Sequence, residues 1–311
     1  MKEIYLDTRQ LGPYNTSEEL AFKILDKTPH CVYVFKDSNW TAAENWPEVL
    51  KKDFDGRIQS GTAVPGENQQ VIRYKSRVDY KLKIDDTDVL INSEFLKFTE
   101  DMPCSQRRIK DLKARMFSLK DVVVIGSVWA HELPIIQYFV SDLLSDEYNV
   151  VVAPRHIDRV DLFRETLDYL KPGLRSQGDT FGNSNVIILD TLGELKEFYG
   201  IGSINVVCGG IDSQAYRGGH NPLESLVFLQ PTLIGEDYSN HRHIVKHFKH
   251  SDFLRIADGN GVLQLTQGFK SLENLLHRRN FDKKKNDLKK KLATGAKKTE
   301  DFIDEVVCAI K

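Results

Sequence analysis

From about residue 116 onward, short apolar runs alternate with amphipathic stretches, and each run stops at polar or turn-forming residues. Val122-Val123-Val124-Ile125 leads into Gly126-Ser127, and Asn149-Val150-Val151-Val152-Ala153 into Pro154-Arg155-His156. Val186-Ile187-Ile188-Leu189 stops at Asp190-Thr191, and Ile204-Asn205-Val206-Val207-Cys208 at Gly209-Gly210. Thr232-Leu233-Ile234 stops at Gly235, and Phe253-Leu254-Arg255-Ile256 makes a weaker sixth run. β-Branched runs of this length, spaced by helix-length segments, predict buried parallel strands with right-handed crossovers. The expected fold is therefore α/β, with a Rossmann-like sheet.

The first 115 residues are less regular. Glu3-Ile4-Tyr5-Leu6, Cys31-Val32-Tyr33-Val34-Phe35 and Asp88-Val89-Leu90-Ile91 read as strands, with a helix between the first two near Ser17 to Leu25. Asp55 to Lys83 is polar and poorly periodic, and reads as loop or irregular strand. The division expected is a reduced N-terminal domain over 1–115 and a Rossmann-like domain over 116–311. Near the end, Asp282 to Lys291 is lysine-rich and reads first as a solvated helix face, second as a contact for an anionic membrane or substrate. Thr299, followed by Glu300 and Asp301, fits the cap of a last helix. Its apolar stripe of Phe302, Ile303, Val306, Val307 and Ile310 is expected to pack back on the N-terminal domain.

Charge and composition narrow the function. A net charge of −2 provides no global basic field for nucleic acid. The 4 cysteines form no CxxC pair, which fits reduced thiols in a cytoplasm. The N-terminus lacks an apolar stretch of signal-peptide length, and no run approaches the roughly 20 apolar residues that span a bilayer. The expectation is a cytoplasmic protein without an integral membrane segment, with peripheral contact at the inner membrane as a further reading.

The chemistry concentrates where strands end, which is where ligands sit in such sheets. Gly209-Gly210 is followed by a loop and then Arg217-Gly218-Gly219-His220-Asn221-Pro222-Leu223-Glu224. Paired glycines let backbone N–H groups approach an anion, and a helix starting near Asn221 would add its positive dipole end. A phosphate is the natural occupant, with Glu224 placed to accept from ribose hydroxyls. On structural grounds alone the glycines would simply make tight loops. Two further motifs at neighbouring strand ends argue for a site: Pro154-Arg155-His156, whose arginine can fork onto phosphate or carboxylate, and Asp190 to Leu195.

In this order the motifs resemble the 3-deoxy-D-manno-oct-2-ulosonic acid (Kdo) transferases. The likeness covers roughly 94–275: Leu96-Lys97-Phe98, Gly126-Ser127, Ala153-Pro154-Arg155-His156 with Arg159, Asp190-Thr191-Leu192-Gly193-Glu194-Leu195, Gly209-Gly210, Arg217 to Glu224, and Asn240-His241-Arg242-His243-Ile244. The resemblance implies a GT-B fold of two Rossmann-like domains and a CMP-Kdo donor. Arg155, His156, Gly193 and Gly218 to Glu224 would then surround the CMP moiety, and with the other strand-end and loop residues the expected donor set is Ser127, Pro154, Arg155, His156, Gly193, Gly209, Gly210, Gly218, Gly219, His220, Asn221, Glu224 and Asn240. The resemblance further implies a nucleotide-sugar donor partner, a carbohydrate or other hydroxyl acceptor, and no metal or other cofactor.

Two motifs depart from the family pattern. At Asp7-Thr8-Arg9-Gln10-Leu11-Gly12-Pro13 a proline stands where the family places a glutamate base, and Gly126 to Glu132 alters the usual Thr-His-Glu-Gly-Glu continuation. The donor site reads as retained and the acceptor side as rebuilt, so lipid A is not the expected acceptor. A base must still deprotonate the acceptor while Arg155 stabilises the departing phosphate. Asp7, at the end of the first strand, is the leading candidate, with Glu18, Glu19 and Glu132 as alternatives. The i, i+4 pair His243 and His247 could ligate a metal, but no third ligand lies nearby, and a helix presenting Asn240 to the sugar is preferred. Among Trp40, Trp46 and Trp129, packing is the default role, and Trp129 stands out because it follows a strand end. Rival readings are a UDP-sugar transferase or sugar-nucleotide epimerase on the same fold, and a non-catalytic nucleotide-sugar-binding protein.

Overall fold

A computed structural model describes residues 102–116, 118–212, 215, 218–259 and 261–310. It also describes four strands before residue 73 and positions 95, 96 and 98. The chain divides into two compact units, residues 1–96 with 294–311, and residues 97–293.

In the first unit, β1 (Lys2–Leu6), β2 (Cys31–Phe35), β3 (Ile58–Ser60) and β4 (Gln70–Ile72) form a parallel sheet in the order β3-β2-β1-β4. β3 and β4 come from the polar stretch expected to be irregular. Their three-residue length is too short for a periodic signal. The helix expected near 17–25, the strand at 88–91, and Asp7, Glu18 and Glu19 lie outside the described residues.

The second unit carries β5 (Val122–Val128), β6 (Asn149–Pro154), β7 (Gly173–Leu174), β8 (Val186–Ile188), β9 (Ile204–Val207), β10 (Thr232–Ile234) and β11 (Leu254–Ile256). Among the described residues they form a seven-stranded parallel sheet in the order β11-β10-β9-β5-β6-β8-β7. The six expected runs are all strands, and the two-residue β7 adds an edge. β5 and β6 are buried along their whole length, as strands covered on both faces must be. Apolar side chains of α2 (Leu133–Ser145), α3 (Val160–Leu167) and α7 (Val262–Leu276) share one core with alternate strand residues Val123, Ile125, Val150 and Val206. The intervening strand residues face α4 (Leu195–Ile201), which packs on α1 (Met102–Met116) and on α5 (Leu223–Leu226); α6 (Arg242–Phe248) lies between β10 and β11 in the chain.

The last helix differs from expectation. Thr299 does not cap it, because α8 runs unbroken from Phe281 to Ile310. Thr299 is fully buried in its interior and donates to the Gly295 carbonyl at 2.9 Å, one turn back. Gly295 does not break the helix, because its bare face is where the Phe95 ring packs: a Cβ there would stand 2.5 Å from that ring. The lysine-rich stretch is the N-terminal part of this helix. Leu288 and Leu292 are its buried i, i+4 pair, and Lys283, Lys289 and Lys290 are exposed.

Candidate functional site

The carboxyl ends of β5, β6, β8, β9 and β10 gather every described site residue into the second unit. β5 ends irregularly. Its register with β6 shifts between Ile125 and Val128, and Ser127, 7% exposed, adopts a left-handed φ of 58°. For a serine this costs on the order of 1 kcal/mol, and such outliers persist where surrounding contacts enforce them.

Those contacts centre on Glu132, which precedes α2 and has no exposed surface. Its carboxylate accepts from the Gly209 N–H at 2.9 and 3.0 Å, the Ile211 N–H at 2.9 Å and the Trp129 N–H at 3.0 Å. Burial raises its pKa, and the three backbone donors oppose that rise. With its oxygens committed to three amides, Glu132 ties the β5 and β9 loops together. This corrects its expected role as a base toward substrate.

The glycine loops are likewise laced internally. Gly218 N–H donates to Asp237 Oδ2 at 2.6 Å, Asn240 N–H to the Gly218 carbonyl at 2.9 Å, and Asp237 N–H to the Gly210 carbonyl at 3.1 Å. Gly219 N–H donates to the Gly209 carbonyl at 3.3 Å, and His220 N–H to the Cys208 carbonyl at 3.1 Å. Gly218 must be glycine: its φ is 79°, and a Cβ would stand 2.3 Å from the Asn240 side chain. The amides of Gly209, Gly218 and Gly219 therefore shape the loop through protein contacts, where sequence reasoning had them cradling an anion. α5 is four residues long, and Asn221 Oδ1 accepts from the Leu223 N–H at 3.1 Å. Glu224 sits half-buried on this turn, close enough to the fully buried Tyr199 for its charge to help raise the Tyr199 pKa.

Above the loops stands an aromatic group. Trp129 Nε1–H donates to His220 Nε2 at 2.9 Å, and His156 meets the indole edge to face at 4.9 Å between centroids. Arg155, exposed at the end of β6 next to the buried Pro154, is held by its N–H to the Val128 carbonyl at 2.8 Å. Burial, then the charges of Arg155 and His156, push the His220 pKa down to about 4. On the β8 side, Asp190 accepts from Ser176 N–H at 2.7 Å and Ser176 Oγ at 2.5 Å, while Glu194 holds Arg175 at 2.8 Å and Thr191. Exposed Gly193, φ 83°, borders a cavity of about 350 Å³ that Arg108, Arg115 and Arg175 also line.

Sequence reasoning missed three contributors. Asp237 follows a strand end by three residues, a position that could have marked it. Tyr199 gives no signal apart from helical core, yet its hydroxyl lies 1.9 Å from where a Gly126 Cβ would stand, beneath Ser127. Asn205 is polar at the centre of an apolar run. It donates to the Tyr199 carbonyl at 2.9 Å and to Ser225 Oγ at 2.8 Å, and Ser225 in turn meets Thr232 Oγ1 at 2.7 Å. Arg217 lies outside the described residues, as does Asp86-Thr87-Asp88, an Asp-X-Asp triplet that the metal-free expectation leaves out. Among the described residues no group of three or more His, Cys, Asp or Glu gathers to hold a metal, and no helix is long and apolar enough to cross a membrane.

Two parallel α/β sheets, the N-terminal one smaller, with a polar site along the carboxyl edge of the larger, define a GT-B-like fold. The structure of a glycosyltransferase from Rickettsia africae shares this fold, with a TM-score of 0.51 over 94% of this chain and 80% of that one, at 11% identity. The second unit carries the more specific likeness. The C-terminal CMP-Kdo binding domain of WaaA from Acinetobacter baumannii aligns at TM-score 0.50 and 25% identity, over 63% of this chain and 98% of that domain. A 3-deoxy-D-manno-octulosonic acid transferase from Chlamydia trachomatis is 28% identical over 165 residues, 52% of this chain and 38% of the relative. The chain thus resembles the Kdo transferases, mainly in their donor-binding half, and spans under two fifths of the length of these curated relatives. No protein-family model matches it.

Proposed function

We propose that this chain binds a CMP-activated sugar at the carboxyl edge of its larger sheet and acts as a glycosyltransferase. It would pass Kdo or a related sugar to a hydroxyl acceptor other than lipid A. The observation that carries the reading is that Arg155 and His156 at the end of β6 meet Trp129 after β5 and His220 after β9, beside loops whose shape Glu132 and Asp237 enforce. The likeness of this same unit to a CMP-Kdo binding domain supports the choice of nucleotide.

In this reading Arg155 neutralises the departing nucleotide phosphate, without help from a metal. His220, kept neutral, presents an N–H and adds no charge of its own. Asp7 remains the candidate for the base that takes the acceptor proton. The protein would work on the cytoplasmic side, in peripheral contact with the membrane. The test is calorimetric titration of the full chain with CMP, UDP and ADP, alongside Glu224→Ala. Micromolar CMP binding is expected, weakened at least about tenfold in the variant as a charge-assisted hydrogen bond is lost. Binding of UDP or ADP in preference to CMP would overturn the choice of donor. No binding of any of the three would overturn the donor site itself.

A further inference from the structure

β7, at the edge of the larger sheet, is only two residues long and pairs with Ile187 and Ile188 of β8. So short a strand adds little to a sheet, yet its surroundings are closely laced. The Leu174 N–H donates to Asp179 Oδ2 at 2.8 Å, Asn183 Nδ2 to Asp179 Oδ1 at 2.7 Å, and the Phe181 N–H to the Met116 carbonyl at 3.0 Å. Gly173 leaves room for Asp179, because a Cβ there would stand 2.7 Å from the Asp179 Cβ. Between the strand and this loop lies one tight turn, Arg175–Gln177, closed by Gly178 at a φ of 81°.

That turn reaches across the end of β8. Ser176 donates twice to Asp190, from its N–H at 2.7 Å and from Oγ at 2.5 Å, and Arg175 Nη2 donates to Glu194 Oε1 at 2.8 Å. Thr191 Oγ1 donates to the other Glu194 oxygen, so each carboxylate uses both oxygens to fix the loop between them. At the apex of the loop Leu192 is 87% exposed, and Gly193 has open space where a Cβ would stand. The apex borders the cavity of about 350 Å³ described above. β6 and β8 pair with Val152 opposite Ile188, so Arg155 and Thr191 each stand three residues beyond the same rung. The clamped loop therefore neighbours Arg155 on the carboxyl edge of the sheet.

Resting on the donor-site reading above, we infer that Arg175 and Ser176 are positioning residues for the donor: they hold the 190–195 loop in its binding shape before the nucleotide arrives. A loop fixed in advance loses less conformational entropy when a ligand settles on it. Arg175 suits the task, because its planar guanidinium fixes a direction as well as a charge. Asp190 and Glu194 serve the loop in this arrangement and do not contact ligand hydroxyls. β7 and its turn are then a strut for the loop, which accounts for so short a strand with so many bonds around it.

The experiment compares wild type with Arg175→Met, Arg175→Lys and Ser176→Ala, each as the full chain. Calorimetric titration gives CMP affinity, and hydrogen exchange follows the 190–195 amides with and without CMP. Thermal unfolding of each variant checks that the fold is kept. Arg175→Met is expected to weaken CMP about tenfold through a less favourable binding entropy, with faster exchange in the free chain and protection restored at saturating CMP. Arg175→Lys, which keeps one charge-assisted bond, should fall between wild type and methionine, and Ser176→Ala should act in the same direction as methionine. Unchanged affinity in Arg175→Met would make the clamp merely structural and overturn the inference. Weaker binding with the free loop exchanging as in wild type would mean that Arg175 touches the nucleotide itself, which overturns it too. A wild type that does not bind CMP would bring down the donor-site reading and this inference with it, an outcome distinguishable from the other two because no variant is involved. If Arg175→Met does not fold, Arg175→Lys and Ser176→Ala decide by the same two measurements.

Discussion

Largely buried, His220 lies near Arg155 and accepts a hydrogen bond from the indole N–H of Trp129, so the imidazolium form has little to stabilise it. Its pKa in the folded chain, about 4, is below the ordinary value of 6.5. The unfolded chain therefore binds a proton between pH 6.5 and 4 that the folded chain refuses, and stability must fall as pH drops through that window. We expect wild type to lose about 2–3 kcal/mol more than His220→Asn between pH 7 and pH 4, measured by urea unfolding at both values. Equal losses would mean that His220 titrates normally. Binding follows a different course: across pH 6–8 His220 stays neutral, so it contributes no pH dependence to donor affinity there.

At the scale of elements, the site rests on a polar ladder hidden beneath it. Asn205 joins β9 to the end of α4 and to Ser225 of α5, and Ser225 reaches Thr232 of β10. Replacing Asn205 by alanine strands buried partners, and should cost about 2–3 kcal/mol in urea unfolding while leaving the sheet intact by circular dichroism. Parts of this arrangement were legible in the sequence. β-Branched runs such as Val150-Val151-Val152 marked the strands, and glycines and arginine after them marked the edge where ligands bind. Side-chain commitments were not legible. Nothing in the string says that Glu132 turns inward to three amides, or that Asn221 Oδ1 takes the Leu223 N–H at the start of α5. Thr299 looked like the cap of a last helix because local propensity favours that reading. Packing against Phe95 overrides the propensity and keeps α8 continuous.

For the molecule as a whole, the described site belongs to the second unit alone, but it is assembled from distant parts of that unit's chain. Glu132 takes its amides from positions 77 and 79 residues downstream, and Trp129 meets His220 across 91 residues. Replacing Glu132 by glutamine sets an amide N–H against backbone donors, and should cost about 2–3 kcal/mol. Contacts of this sequence separation close long loops and tend to form after the local helices and the first strand pairs. The loss should accordingly appear mainly as faster unfolding in stopped-flow experiments, with the refolding rate little changed. A variant that slowed refolding instead would place the Glu132 knot in the folding nucleus. During synthesis, a chain whose ribosome has not yet passed residue 220 can hold several strands of the sheet and still lack the Trp129–His220 contact and the glycine loops. Competence to bind a ligand would then arrive as a late step in the birth of the protein, well after most of its scaffold exists.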